Sequence, residues 1–480
     1  MSAVSQHQPH PLSVGFLKTR WALLAVLGTA VVLRFLFAGR WSLWQDEESS
    51  IFFSLNLGAQ FPRHFPLFFA LLRGLFECTG VSVHAGRLLA ASLGVISIGL
   101  VFQVISRLVS REVGVLAAVF LTLSLGHLFW SQSIRYYILL FVFQVISVYL
   151  FVDGFERGRP RELVLVSVFL LLGVLSHLSG ALLFPVLVGH LALSMLLRER
   201  GGGYGLKGYM AFGIPFVVVC AIFCGQYFSF RASLSSLVTR EQGSEPAALL
   251  VRLVAYFGAP AFVLSLLAPW VGRGIVPGRI LRFFTCLAFI PMLELLVIAK
   301  LNIVIALWYQ GFIAIVGVVT LSAITLYSLR QRGWLLAYRV ALFGSVLVSL
   351  PFLFGYYTSM HGDRPRWEEA ARFVREASAV DPGSGRSPLI YSTVAPIVAF
   401  YLGSDPSATI DQSIVKDLPP RPSEKPVESE EWFVVENDEI PQAYVKWFAQ
   451  ECVLAAKFEA RTGPKDRTIF VYRHRPGTPR

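Results

Sequence analysis

About eleven apolar runs, each close to the twenty residues a helix needs to cross a bilayer, leave this chain few folds to choose from. They fall at 19–39, 83–106, 113–130, 134–152, 162–177, 180–197, 209–228, 247–270, 280–299, 302–325 and 334–357. Only helices and closed barrels satisfy their backbone inside lipid, and runs of this length specify helices. Charged residues make up 15% of the chain, where a soluble protein carries about a quarter, so the chain reads as a polytopic membrane protein. The first run is span-length and lacks the short apolar core of a cleavable leader, so it reads as a retained anchor.

Charge orients the runs. With the N-terminus inside, the inner connections hold Lys18/Arg20, Arg107/Arg111, Arg157/Arg159/Arg161, Arg198/Arg200/Lys207, Arg273/Arg279/Arg282 and Arg330/Arg332. The outer connections, at Ser131–Ser133, His177–Gly180, 229–246 and Lys300–Leu301, are sparse in base. That asymmetry satisfies the positive-inside rule at every turn. The net charge of +12 therefore reports orientation and not nucleic-acid binding. The run 65–76 is too short to cross and carries Arg73; it reads as an interfacial or re-entrant helix inside a first external loop, 40–82.

From Thr358 the chain turns polar, with 18 acidic and 16 basic residues in 358–480. Pro365–Ala379, Pro396–Leu402 and Ala443–Glu451 read as helices, and Leu389–Ser392, Trp432–Val435, Val453–Phe458 and Thr468–Arg473 as strands. Leu418–Glu431 is rich in Pro, Glu and Ser and reads as a loop. The expected architecture is an α-helical polytopic membrane protein of about eleven spans, with 1–357 as the membrane domain and 358–480 as a C-terminal external α/β domain.

Polar residues that fall at the outer face mark the candidate site. Asp46, Glu47 and Glu48 follow the first span within Trp44–Ser50, and acids beside a span are costly unless used. A fixed carboxylate at Asp46 can take the proton of an attacking hydroxyl, with Glu47 and Glu48 holding Asp46 or the acceptor. A solvated interfacial turn is the bland alternative. Three acids so close also leave a divalent cation open, although no second acidic cluster is evident outside. Arg135 lies between two spans with hardly any loop, as an interface anchor or a phosphate ligand; Tyr136 and Tyr137 beside it suit sugar stacking or an aromatic belt. His177 sits in another tight outer turn, as a structural helix end or a ligand. Lys300 at the end of the ninth span is placed to neutralise a leaving phosphate, and Glu294 within that span needs a partner from another helix. Cys220 and Cys224, at helical spacing in an apolar run, read as packing residues rather than metal ligands.

Several of these stretches resemble one family. Trp44-Gln45-Asp46-Glu47, followed by His64-Phe65-Pro66-Leu67, resembles the first-loop Asp-Glu and His-Pro-Pro-Leu patterns of membrane-embedded C-type glycosyltransferases. Arg87-Leu88-Leu89-Ala90 is similar to the opening of their next span. Ser131-Gln132-Ser133-Ile134-Arg135-Tyr136-Tyr137 is similar to their Ser-Gln-x-x-Arg-x-Tyr stretch, and His177-Leu178-Ser179-Gly180 to their later histidine turn. Trp367-Glu368-Glu369-Ala370-Ala371 looks like the helix that opens many of their external domains. The likeness covers nearly the whole chain and points to bacterial relatives of the protein O-mannosyltransferases and the lipid A aminoarabinose transferase.

The resemblance implies an inverting transfer from a polyprenyl-phosphate sugar, with Asp46 as general base and His64 and Arg135 at matching motif positions. The first proline of the His-Pro-Pro-Leu pattern is Phe65 here, and the usual late Arg-Tyr pair reads Trp308-Tyr309, which leaves Lys300 or Arg240 to supply the missing phosphate contact. The expectation is thus an inner-membrane glycosyltransferase working on the external face. It needs no cofactor unless a divalent cation is bound. Its partners would be a polyprenyl-phosphate sugar, an envelope glycolipid, glycan or protein acceptor, and membrane lipid. A lipid-linked-sugar transporter or a non-catalytic envelope assembly protein are the competing classes. A transporter would show inverted repeats with broken midplane helices, and no such pairing is visible.

Overall fold

Among the described residues, helices predominate as far as Tyr357, and a mixed sheet flanked by three helices follows. The computed structural model describes residues 14–58, 65–199, 201–234, 246–301, 308–379, 389–403, 415–419, 422, 430–462 and 465–474. Two compact units are formed, one from 1–36, 57–74 and 87–350, the other from 37–56, 75–86 and 351–480.

The first unit is a helical bundle. Among the described residues, seven helices are long and apolar enough to cross a membrane, or nine if each of two bent pairs is one span. The runs read at 19–39 and 162–177 fall on the helices Val14–Phe35 and Pro160–Ser176, which that count leaves out. The helix Ile315–Gln331 is the bundle's axis, buried over nearly its whole length. Small residues make this possible where lipid provides no hydrophobic drive between helices. A Cβ on Gly317 would lie 2.4 Å from the Ala288 backbone nitrogen, so the two helices meet at their main chains. Thr325 Oγ1 donates to the Leu264 carbonyl at 2.7 Å, tying the same helix to Ala259–Val271.

Two spans read as continuous are bent. The run 113–130 is Arg111–Leu123 and Leu125–Ser131, at 69° to one another. At the bend, the Ser124 hydroxyl accepts the His127 backbone N–H at 3.4 Å and caps the second piece. The run 247–270 is Pro246–Phe257 and Ala259–Val271, bent by 96°. Gly258 holds φ +92° there, a conformation L side chains rarely adopt. The run 65–76 is part of the helix Pro66–Thr79, and the run 302–325 gives a short 3₁₀ turn, Trp308–Ala314, ahead of the helix at Ile315.

In the second unit, a five-stranded sheet has the order β2-β1-β3-β7-β4, with β1 Leu389–Ser392, β2 Val415–Asp417, β3 Glu431–Glu436, β4 Val453–Phe458 and β7 Ile469–His474. The β1–β2 and β1–β3 pairs are parallel, whereas β7 runs antiparallel to β3 and β4. A two-stranded hairpin joins β5 Arg461–Thr462 to β6 Lys465–Asp466. One face is aromatic: Phe433 stacks on Tyr391 at 5.3 Å, and the helix Gln442–Glu451 lays Tyr444 and Phe448 over it. β2 lies between the helix read at Pro396–Leu402 and the loop read at Leu418–Glu431, where no element is expected. The segment 37–56, from the first loop, is packed within this unit and not within the bundle.

Candidate active site

The acidic stretch Asp46–Glu48 forms the first turn of a helix, Gln45–Leu55, rather than a solvated turn. Backbone N–H groups at a helix start favour negative charge, so three carboxylates suit this place. Their environments differ sharply. Asp46 is partly exposed, while Glu47 is fully buried. Burial of the Glu48 carboxyl raises its pKa above the usual carboxylate value. Glu47 is met by Arg364, itself 0% exposed, whose Nε donates to Glu47 Oε2 at 3.3 Å. Arg364 Nη1 also donates to the Gly362 carbonyl at 2.6 Å.

That arginine ends an unusual turn. His361, Gly362 and Asp363 hold φ of +48°, +64° and +60° in succession, left-handed backbone at two non-glycine residues. Gly362 is required by contact as well, since a Cβ there would come within 2.9 Å of the Trp41 ring. Trp41 packs edge-on against His361 at 5.1 Å, and Ser42 Oγ accepts the Glu368 N–H at 3.2 Å. The segment 41–47 is therefore gripped by residues 361–368.

In the helical bundle, the turn Ser131–Tyr137 carries the other candidates. Gln132 Nε2 lies 3.0, 3.1 and 3.0 Å from the carbonyls of Leu33, Arg34 and Leu36, at the C-terminal end of the first helix. Arg34, fully buried, donates to the Thr122 and Leu121 carbonyls at 2.9 and 3.1 Å beside the helix break, where Leu121 also accepts the Ser124 N–H at 3.3 Å. Its Nη2 also donates to His127 Nδ1 at 2.9 Å. Because Arg34 can only donate, His127 accepts at Nδ1 and turns an Nε2–H to Ser97 Oγ at 2.8 Å.

Arg135 is 8% exposed and lies over the Tyr136 ring, its Cζ 4.4 Å from the centroid. Nη2 donates to the Tyr136 hydroxyl at 2.7 Å. Tyr136 stacks on His177 at 4.4 Å and 10°, and Phe65 sits 5.6 Å from both rings. The Phe that departs from the family pattern thus completes an aromatic cluster. Tyr137, 2% exposed, fills the space between His177 and Trp130. His177 Nδ1 accepts the Ser179 backbone N–H at 3.1 Å, so its proton lies on Nε2. The imidazole is an uncharged donor.

Lys300 is exposed in the last turn of Gly278–Leu301. Glu294, expected to pair across helices, has both carboxylate oxygens buried with no hydrogen-bond partner among the described residues. His64 and Arg240 lie outside the described residues, as do the side chains of Trp308 and Tyr309. Among the described residues no three His, Cys, Asp or Glu side chains are grouped to hold a metal ion. Arg364 and Arg34 escaped the sequence reading. An arginine inside an otherwise apolar run, as Arg34 is, was the available signal.

Residues 63–222 match the family described as dolichyl-phosphate-mannose-protein mannosyltransferase. No curated protein sequence matches. The fold is similar to that of ArnT from Cupriavidus metallidurans in the apo state, with a TM-score of 0.58 and 14% identity over 96% of this chain and 98% of that one. The same protein bound to undecaprenyl phosphate gives 0.56 and 15%, over 95% and 98%. The family match covers 160 of the 480 residues, and the likeness to ArnT is one of fold.

Proposed function

We propose that the chain moves a sugar from a polyprenyl-phosphate donor to a hydroxyl of an envelope acceptor, on the external face of the inner membrane, with inversion at the anomeric carbon. Asp46 takes the acceptor proton as the hydroxyl oxygen attacks that carbon. The bond from the anomeric carbon to the phosphate oxygen breaks, and polyprenyl phosphate leaves. Arg135 binds the phosphate through guanidinium donors that match its oxygens, with His177 adding an uncharged N–H and Lys300 or Arg240 further charge. Tyr137 backs the stack that holds His177, and Glu47 supports the helix that carries Asp46.

The observation carrying this reading is Arg135, almost buried yet held over Tyr136 by a hydrogen bond and a ring contact. A guanidinium so held is preorganised to meet two oxygens of a phosphate with its parallel N–H groups. The relative solved with undecaprenyl phosphate supports a lipid-phosphate donor. Incubated with a polyprenyl-phosphate hexose or pentose and envelope extract, the purified protein should release free polyprenyl phosphate. The variant Asp46→Asn should lose about 10²–10⁴ in rate while remaining monodisperse. Movement of lipid-linked sugar across vesicles without turnover would overturn the enzyme reading in favour of a transporter.

A further inference from the structure

The grip on residues 41–47 is more than a fold contact. Within the second unit, one face of the first-loop helix is held by a buried ion pair, one carboxylate before Glu48 and one after Asp46. Arg364 reaches Glu47 only because His361, Gly362 and Asp363 turn the chain left-handed. The guanidinium is fixed from further sides by the Gly362 carbonyl and by the Tyr356 hydroxyl. Trp41 fills the inside of the turn, and Leu43 N–H donates to Tyr401 Oη at 2.5 Å. Such backbone conformations persist when their surroundings over-determine them, and they gather where geometry serves chemistry. A buried ion pair is weak evidence for stability, since apolar residues of equal volume do as well. What it fixes is orientation: both partners are planar, and the pair sets the roll of the helix about its axis.

We infer that Arg364 is a positioning residue for the transfer reaction, acting through Glu47 to fix the direction in which Asp46 is presented. Neither Arg364 nor Glu47 touches substrate in this account. The inference rests on Asp46 being the general base. A small rotation of the first helical turn would swing the Asp46 carboxylate by an ångström or more, and misplacements of about 1 Å cost on the order of 10²-fold in rate.

The test is a cycle of variants in the full-length protein, with turnover of a polyprenyl-phosphate sugar read as kcat and donor KM. Arg364→Ala should lower kcat by about 10- to 100-fold while donor KM stays within about twofold. Arg364→Lys keeps the charge but not the planar guanidinium and should recover only part of the loss. Glu47→Gln, which keeps an acceptor and adds no buried charge, should reproduce the loss and guards against a failure of Arg364→Ala to fold. In an Asp46→Asn background, Arg364→Ala should cost nothing further, because the residue it positions is already disabled. Equal losses in both backgrounds would show a purely structural role and overturn the inference, as would normal kcat in monodisperse Arg364→Ala and Glu47→Gln proteins. If Asp46→Asn alone keeps normal turnover, the base assignment itself falls and takes the inference with it. If Asp46→Asn is inactive and Arg364→Ala is not impaired, the positioning role alone falls.

Discussion

The imidazole of His177 lies parallel to the Tyr136 ring, 4.4 Å away and tilted by 10°, with its Nδ1 occupied by Ser179. Stack and hydrogen bond together leave one polar group of the ring, Nε2–H, for a ligand. His177→Phe should keep the stack and lose the donor. A hydrogen bond to a charged group is worth about 1.5–3 kcal/mol, so donor KM should rise by roughly 10- to 150-fold with thermal stability unchanged. His177→Gln, whose amide can reach the Nε2 position, should recover part of that loss. Titration of donor binding against both variants checks the assignment.

Arg135 and Tyr136 make a second, separable pair. Tyr136→Phe removes the 2.7 Å hydrogen bond but leaves the guanidinium over an aromatic face. That change should cost kcat/KM about 1 kcal/mol. Arg135→Ala removes a preorganised cation and should cost about 3–4 kcal/mol. Single-turnover release of polyprenyl phosphate distinguishes the two magnitudes. Comparable losses would mean that the tyrosine hydroxyl, and not the charge, carries the contact.

Stability should be most sensitive at the helix break. Arg34→Met removes donors from two main-chain carbonyls and from His127 at once, all of them buried. Each unsatisfied buried acceptor costs about 1–3 kcal/mol, so the melting temperature in detergent should fall clearly. Gln132→Ala strips the cap from the first helix and should fall less. Donor affinity, followed in parallel, is expected to weaken in both, because the same turn carries Arg135.

Cys452, at the edge of the sheet domain, should be nearly inert as a nucleophile. Burial, followed by the nearby charges of Glu431 and Glu451, pushes its thiol up to about 12. The thiolate is the reactive form, and at pH 8 its population is about a thousandth of that of a thiol at the ordinary value near 9. Alkylation should therefore be slow at pH 8 and rise about tenfold per pH unit until the domain unfolds or the thiol titrates. Peptide mapping after timed iodoacetamide treatment measures this directly. Labelling as fast as a cysteine peptide would place Cys452 in water.

Much of this arrangement was legible because apolar length and charge asymmetry are local signals. Leu389–Ser392 and Val453–Phe458 appear where alternation predicts them, and the helix opening at Trp367 starts two residues after Pro365. The short strand Val415–Asp417 has no such alternation; its partner β1 holds it by parallel backbone bonds. The bends at Ser124 and Gly258 were hidden inside runs whose hydropathy does not change across them. Glu47 illustrates the limit most clearly. Its neighbours in sequence group it with Asp46 as a catalytic acid, whereas its burial depends on Arg364, which no local pattern could pair with it.

That distance has a consequence for how the protein is made. Glu47 and Arg364 are 317 residues apart, and everything between them must be synthesised first. At roughly 5–20 residues per second the interval is about 15–60 s, during which most of the hydrophobic segments can already have left the translocon. Throughout that time the Gln45–Leu55 segment has a carboxylate with no guanidinium to meet it, and cannot settle. Its ion pair can form only after residue 364 has been made, and a ribosome that stalls before codon 364 leaves Glu47 without that partner. The nascent chain thus withholds competence until its final soluble part emerges.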